Sequence, residues 1–162
     1  MLEKNMYSEF QDILLTVQDR NELLDEISLL SAVQFSTEKN RLQATLENDI
    51  RLVSKGIWKS FFEDSTHSQI EWQSWKDELQ KLPVIQIQVG VELSKKFITQ
   101  IAHFIRQNPE RANALIDIQY MPKLIGGTQI IIEGKFYDYS LSSRLKTYFS
   151  DHSQEIMALL IK

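Results

Sequence analysis

Two glycine-containing segments are the first places where this sequence could bind an anion. Loops that cradle phosphate need glycines at fixed positions, so that backbone N–H groups can approach the anion. Before Gly134, the position of the first loop glycine is taken by Gln129, and Phe136 stands where a metal-binding hydroxyl belongs. The Gly126-Gly127 pair lacks the third glycine and the following helix of a dinucleotide-binding motif. The sequence therefore predicts neither a nucleotide site nor a phosphate site.

Histidine, serine and carboxylate side chains offer no better arrangement for catalysis. His67, His103 and His152 are too far apart in the sequence to form a local metal-binding pair. No Gly-x-Ser-x-Gly turn is present to expose a serine nucleophile, and the chain has no cysteine. Asp138 and Ser140 fit helix capping instead, because a side-chain oxygen at a helix start accepts an unpaired backbone N–H. We therefore predict no catalytic residue, no cofactor and no metal site.

Composition and charge narrow the function classes further. The chain has 162 residues, of which 43% are hydrophobic and 25% charged, as in ordinary soluble globular proteins. No apolar run approaches the roughly 20 residues that a membrane-spanning helix needs. Residues 1–82 contain 15 acidic and 9 basic residues, whereas the remainder contains 7 and 9. No dense basic stripe exists to bind nucleic acid, and the sequence predicts a cytoplasmic protein without direct membrane insertion.

The elements that position these residues divide the chain into two parts. Residues 1–82 contain no proline and one glycine, and their apolar residues recur every three or four positions, which indicates helices. One helix from about residue 20 to about residue 62 is favoured over a hairpin capped by Ser36 or Thr37. The apolar series behind this prediction is Leu42, Leu46, Ile50, Val53, Ile57 and Phe61. We expect either a self-contained bundle or a stalk helix that pairs with a partner.

A further helix is expected before Pro83, with Trp72 and Trp75 one turn apart on its apolar face. Thr66-x-x-Gln69 and Ser68-x-x-Glu71 both have the form of a capping box, which marks a helix start. Two tryptophans at this spacing are most often core residues. The alternative is an anchor for a protein partner, because tryptophan is enriched at interface hot spots.

Residues 83–162 change to an α/β pattern. Alternation and β-branched residues predict strands at 84–89, 115–120 and 128–132. An amphipathic helix that Asn108-Pro109 ends separates the first two strands, and a final helix over about 139–161 is expected, with a break near Asp151. The predicted fold class is α+β: a helical N-terminal region, 1–82, followed by a small α/β sandwich, 83–162, of β-α-β-β-α order.

One string within this second part resembles a known family. Leu-Ile-Gly-Gly at 124–127, an apolar strand, Asp138-x-Ser140 and then Arg144-Leu145 resemble the C-terminal domain of the F-type ATP synthase delta subunit, or oligomycin-sensitivity-conferring protein. The resemblance covers roughly residues 83–149. Tyr139 stands where the family usually has glycine, and residues 1–82 show no motif of the family's N-terminal six-helix bundle.

The resemblance implies a non-catalytic peripheral-stalk, or stator, subunit. Its expected partners are the alpha and beta subunits of the catalytic head and a membrane-anchored b-type stalk subunit. It would lie in the cytoplasm, peripheral to the inner face of the cell membrane. The residues expected to serve structure or interaction are Leu124, Ile125, Gly126, Gly127, Asp138, Ser140, Arg144 and Leu145, together with Trp72 and Trp75.

Two other interpretations remain open at the level of sequence. A long helix followed by a small α/β domain also resembles the E-type stalk subunit of V-type and archaeal ATPases. A helical adaptor or regulator that binds an unrelated partner is an alternative from a different class. An enzyme with an unrecognised site lacks a motif to support it.

Overall fold

A computed structural model describes residues 6–34, 40–63, 71–154 and 157. The chain forms two compact units, Met1–Pro83 with Ile105–Leu115 and Val84–Phe104 with Ile116–Lys162. Together they have the α+β class that the sequence predicts. The helices are α1 Met6–Phe10, α2 Val17–Gln34, α3 Arg41–Asn48, α4 Leu52–Glu63, α5 Trp72–Gln80, α6 Lys95–Arg106 and α7 Leu141–Asp151. The strands are β1 Val84–Val89, β2 Leu115–Tyr120, β3 Thr128–Ile132 and β4 Lys135–Asp138.

Helices α1 to α5 build the first unit, and the prediction of one long helix from about 20 to 62 is wrong. The helix ends at Asn48 and a new one starts at Leu52, while α3 packs against α2. The break lets Ile50 enter the core and brings the backbone N–H of Arg51 to the Glu26 carboxylate. Apolar steps of three and four residues continue across the turn, so the spacing alone could not reveal it. The candidate caps Ser36 and Thr37 lie outside the described residues.

A buried carboxylate ties α2 to α4. Glu26 is 3% exposed, and its Oε1 accepts hydrogen bonds from Arg51 Nε at 2.6 Å and from Ser54 Oγ at 2.7 Å. Its Oε2 accepts from Trp58 Nε1 at 2.9 Å. Burial lowers the pKa of Arg51, but the hydrogen bonds and charges of Glu26 and then Glu22 outweigh it and raise the pKa above its usual value. Each polar group is paired, as a buried charge requires.

Aromatic rings fill the space beside this carboxylate. Trp58 is fully buried, with its ring 4.9 Å from Phe10 and 6.2 Å from Trp72. Trp72 is itself buried and donates from Nε1 to Gln34 Oε1 at 2.7 Å, while the Trp75 ring lies 5.5 Å from that of Trp72. These contacts place both tryptophans of α5 in the packing of the first unit. The two capping boxes before α5 begin at Thr66 and Ser68, outside the described residues.

Arg106, at the end of α6, donates hydrogen bonds to three backbone carbonyls in loops of the first unit. Its guanidinium donates to the carbonyl oxygens of Gln11, Leu14 and Ala114, with N–O distances of 2.8 Å to Gln11 and 3.2 Å to Ala114. A planar guanidinium can bind several acceptors at once, whereas a lysine ammonium of the same charge cannot match that geometry.

We expect Arg106→Ala to lower the free energy of unfolding by about 1–3 kcal/mol, because the carbonyls of Leu14 and Ala114 lose the donor of a partly buried hydrogen bond. Arg106→Lys should recover less than half of that loss. Urea unfolding followed by tryptophan fluorescence measures both. Wild-type stability in Arg106→Ala would show that the three hydrogen bonds contribute nothing.

The second unit is a four-stranded sheet in the order β2-β1-β3-β4. Strands β1 and β2 run parallel, since Leu115 N–H donates to Pro83 O and Met121 N–H donates to Val89 O. The other two pairs are antiparallel, with Ile87 opposite Ile130 and Ile130 opposite Tyr137. The three predicted strands are confirmed at their predicted bounds.

The predicted β-α-β-β-α order does not include the fourth strand, β4. Lys135–Asp138 pairs with β3 along its whole length, although every residue in it is exposed. Glu133 and Gly134 connect the two strands with φ of 51° and 76°. Positive φ at both central residues of a two-residue loop is the signature of a type I′ hairpin turn.

Candidate interaction surface

The double glycine forms a corner between β3 and the start of α7. Gly126 and Gly127 have φ of 64° and 77°, in the left-handed region that favours glycine. A Cβ on Gly127 would collide with the carbonyl oxygen of Tyr139 and lie 2.9 Å from the Cα of Ser140. The Gly126 carbonyl accepts the Leu141 N–H at 3.2 Å. The two parts of the motif string, 124–127 and 138–145, are therefore in direct contact in the folded chain.

The capping role predicted for Asp138 and Ser140 is confirmed. Ser140 is 1% exposed and is the N-cap of α7, where its Oγ accepts the Ser143 N–H at 3.2 Å. Asp138 Oδ1 accepts the Ser140 N–H at 2.9 Å, and Tyr139 N–H donates to Thr128 O at 2.9 Å. With the Leu141 bond, four hydrogen bonds fix the direction in which α7 leaves the sheet.

Helix α7 carries an apolar stripe that the described part of the chain leaves exposed. Leu141, Leu145, Tyr148 and His152 follow one another at steps of four, three and four residues, which places them on one side of the helix. None of the described side chains of α7 is buried, and Leu145 and Tyr148 are 44% and 55% exposed. The His152 ring stacks on Tyr148 with centroids 4.3 Å apart. These steps average about 3.7 residues, close to the 3.6 residues per turn that keep side chains on one face of a straight helix.

The other predicted site residues lie at the glycine corner, on α7 and in the first unit. Leu124 is half-buried, and its carbonyl packs directly over Gly90, while Ile125 is exposed beside the glycine corner. Arg144 is exposed on α7, one position before Leu145. Trp72 belongs to the core of the first unit, and the half-buried Trp75 packs against that core. Arg144 and Leu145 are the two residues of α7 that the motif string predicted as site residues.

Sequence reasoning missed Leu141 and Tyr148, which complete the stripe. The signal was present in the spacing of 141, 145 and 148.

Hydrogen bonding holds the pKa of Asp138 below its usual value. The Ser140 side chain and backbone N–H contribute most, with smaller effects of Gln129 and Lys146, while slight burial acts in the opposite direction. A carboxyl whose pKa is lower in the folded chain stabilises that fold above its unfolded pKa, and the contribution is lost as the pH falls through the folded value. The start of α7 should therefore weaken on acidification.

We expect the helical circular dichroism of the full chain to fall as the pH drops through and below the usual carboxyl pKa of 3.8, and Asp138→Asn to reduce that fall. Asp151→Asn, in the last turn of the same helix, is the matched control and should keep the wild-type pH dependence. Identical pH curves for Asp138→Asn and wild type would contradict a role for this carboxylate.

The described residues offer no arrangement for metal chemistry. Within 6–34, 40–63, 71–154 and 157, no group of three His, Asp or Glu side chains is placed to hold a metal ion. His103 is exposed on α6, and His67 lies outside these ranges. The helices of the described ranges include none that is both long and apolar enough to cross a lipid bilayer.

Comparison with known proteins agrees with the motif string. A family model described as ATP synthase delta (OSCP) subunit matches residues 65–150, which is about half of the chain and includes the glycine corner and nearly all of α7. A search of curated proteins finds no match. The family consists of structural stalk subunits and not of catalytic ones. The chain belongs to the ATP synthase delta (OSCP) subunit family, the peripheral-stalk subunits of F-type ATP synthase.

Proposed function

We propose that this protein is a stator subunit that links the catalytic head of the synthase to its membrane-anchored stalk. The observation that carries this proposal is α7, a helix with an apolar stripe whose direction is fixed by hydrogen bonds and whose side chains the described part of the chain leaves unburied. An isolated helix of eleven residues is marginal in water, so such a stripe favours a protein partner. A link that resists torque needs this kind of rigid attachment and no active site.

The two parts of the chain have different places in this proposal. Residues 83–162, taken as one domain, bind the b-type stalk subunit through the stripe of Leu141, Leu145 and Tyr148. Residues 1–82 form a helical region that binds the alpha and beta subunits of the head. The complex holds the protein on the inner face of the cell membrane. The buried carboxylate and aromatic rings of the first unit favour a self-contained bundle over a helix that waits for its partner.

Reconstitution tests the linking role. Membrane vesicles from the source cells are stripped of this protein, and the purified chain is added back before proton-driven ATP synthesis is measured. We expect wild type to restore synthesis and Leu145→Glu to restore it at least about tenfold less well, because a charge enters the apolar stripe.

Ser150→Glu is the matched control, since it adds the same charge on the opposite side of α7. It should restore synthesis as wild type does, and ATP hydrolysis should continue in all samples. Equal restoration by Leu145→Glu and Ser150→Glu would contradict the assignment of the stalk contact to the stripe. Unchanged synthesis after complete stripping would contradict the stator function itself.

A further inference from the structure

Helix α7 carries two opposite charges along one margin of its apolar stripe. Arg144 lies four residues before Tyr148 and Asp151 lies three residues after it, so both are neighbours of Tyr148 on the helix surface. The seven residues between the two charges correspond to about 10 Å along the helix axis. The other margin of the stripe is formed by Ser142 and Phe149, which are uncharged. One margin alone is therefore marked by a basic and an acidic residue.

Neither of these charges is paired within the described part of the chain. Arg144 and Asp151 are both exposed, and the ion pairs found among the described residues both involve Arg51 instead. Contacts among the described residues therefore do not account for the positions of the two charges on α7.

The order of the two charges also opposes the dipole of α7. Acidic side chains are favourable near the N-terminal end of a helix, and basic side chains are favourable near its C-terminal end. Helix α7 has the reverse order, since Arg144 is its fourth residue and Asp151 is its last. Its first turn contains no acidic residue, and its last turn contains no basic one. The pair therefore does not stabilise α7 itself, which favours a role in binding a partner.

We propose that the stalk-subunit segment that binds α7 is an amphipathic helix with an acidic residue opposite Arg144 and a basic residue opposite Asp151. This inference rests on the proposed function, which assigns the apolar stripe to that subunit. In paired helices, the charged residues that flank the apolar seam set the choice of partner and its orientation. A uniformly acidic or uniformly basic helix would meet a like charge at one of the two positions, so the marked margin discriminates against both.

Exchanging the two charges tests this inference without changing the net charge. The double variant Arg144→Asp with Asp151→Arg reverses their order, so any general attraction to a charged membrane surface is preserved. Co-sedimentation of the purified full chain with membrane vesicles stripped of the native protein measures binding. We expect the exchanged variant to bind at least about tenfold more weakly than wild type, because like charges meet at both positions. Its helical circular dichroism should equal or exceed that of wild type, because the new order agrees with the helix dipole.

Single substitutions separate charge pairing from a general charge effect. Arg144→Asp and Asp151→Arg change the net charge in opposite directions, yet each should weaken binding, because each places a like charge at one position. Ser150→Glu and Ser150→Lys add either charge on the opposite side of α7 and should bind as wild type does. Equal binding by wild type and the exchanged variant, with Leu145→Glu still defective, would overturn this inference and leave the stator function intact. Failure of wild type to bind the stripped vesicles would overturn the proposed function and this inference with it.

Discussion

Replacing Glu26 by alanine is expected to lower the free energy of unfolding by about 3–5 kcal/mol. The carboxylate accepts from Arg51, Ser54 and Trp58, and it is 3% exposed. Its removal leaves the Trp58 indole N–H without its acceptor inside the first unit, while Arg51 keeps only Glu22 and the Ser54 hydroxyl keeps only the Arg51 carbonyl. Removing one partner of a buried pair costs more than the pair contributes, because the remaining charge stays desolvated.

Glu22→Ala is the matched control for this substitution. Glu22 binds the same guanidinium, with Oε2 2.6 Å from Arg51 Nη1, but its side chain is 38% exposed. Ion pairs that reach solvent contribute about 1 kcal/mol or less, so we expect a loss of that size. Urea unfolding of both variants, followed by tryptophan fluorescence, gives the comparison. Equal losses in the two variants would show that Glu26 does not act as a buried acceptor.

Replacing Gly127 by alanine is the second large effect that we expect, with a loss of about 2–5 kcal/mol. A left-handed φ of 77° costs an L-residue about 1–2 kcal/mol, and overpacking adds about 1–3. The added Cβ would collide with the Tyr139 carbonyl, which is backbone and cannot move aside without shifting the α7 cap. We therefore expect the same variant to lose helical signal from α7.

Gly134→Ala separates the two causes of that loss. Gly134 has nearly the same φ, 76°, but a Cβ there would meet nothing within 4 Å. It should cost only the backbone strain of about 1–2 kcal/mol. The excess loss in Gly127→Ala, measured by urea unfolding of the full chain, is then the contribution of the close approach. Equal losses in Gly127→Ala and Gly134→Ala would contradict a contribution of this close approach to the free energy of unfolding.

The second unit was more predictable from sequence than the first. The strands at 84–89, 115–120 and 128–132 were found at their bounds, because alternating β-branched residues leave little choice of structure. Strand β4 was missed because its four residues are all exposed, and an exposed edge carries no alternation to detect. The glycine corner was recognised as a motif, but its contact with Ser140 needed coordinates.

Long-range pairing explains what the sequence could not reveal in the first unit. Glu26 lies in a helix among other charged residues, and nothing local distinguishes it from a solvated glutamate. Its partners Arg51, Ser54 and Trp58 are 25 to 32 residues away, across the helix break at 49–51.

Recovery of partner subunits from native membranes tests the central claim most directly. The tagged full chain is expressed in its own cells, and proteins retained on mild detergent extraction are identified by mass spectrometry. The stator assignment predicts the alpha and beta head subunits together with the b-type stalk subunit, with the stalk subunit lost in Leu145→Glu and kept in Ser150→Glu. Recovery of the intact chain without any synthase subunit would contradict the assignment.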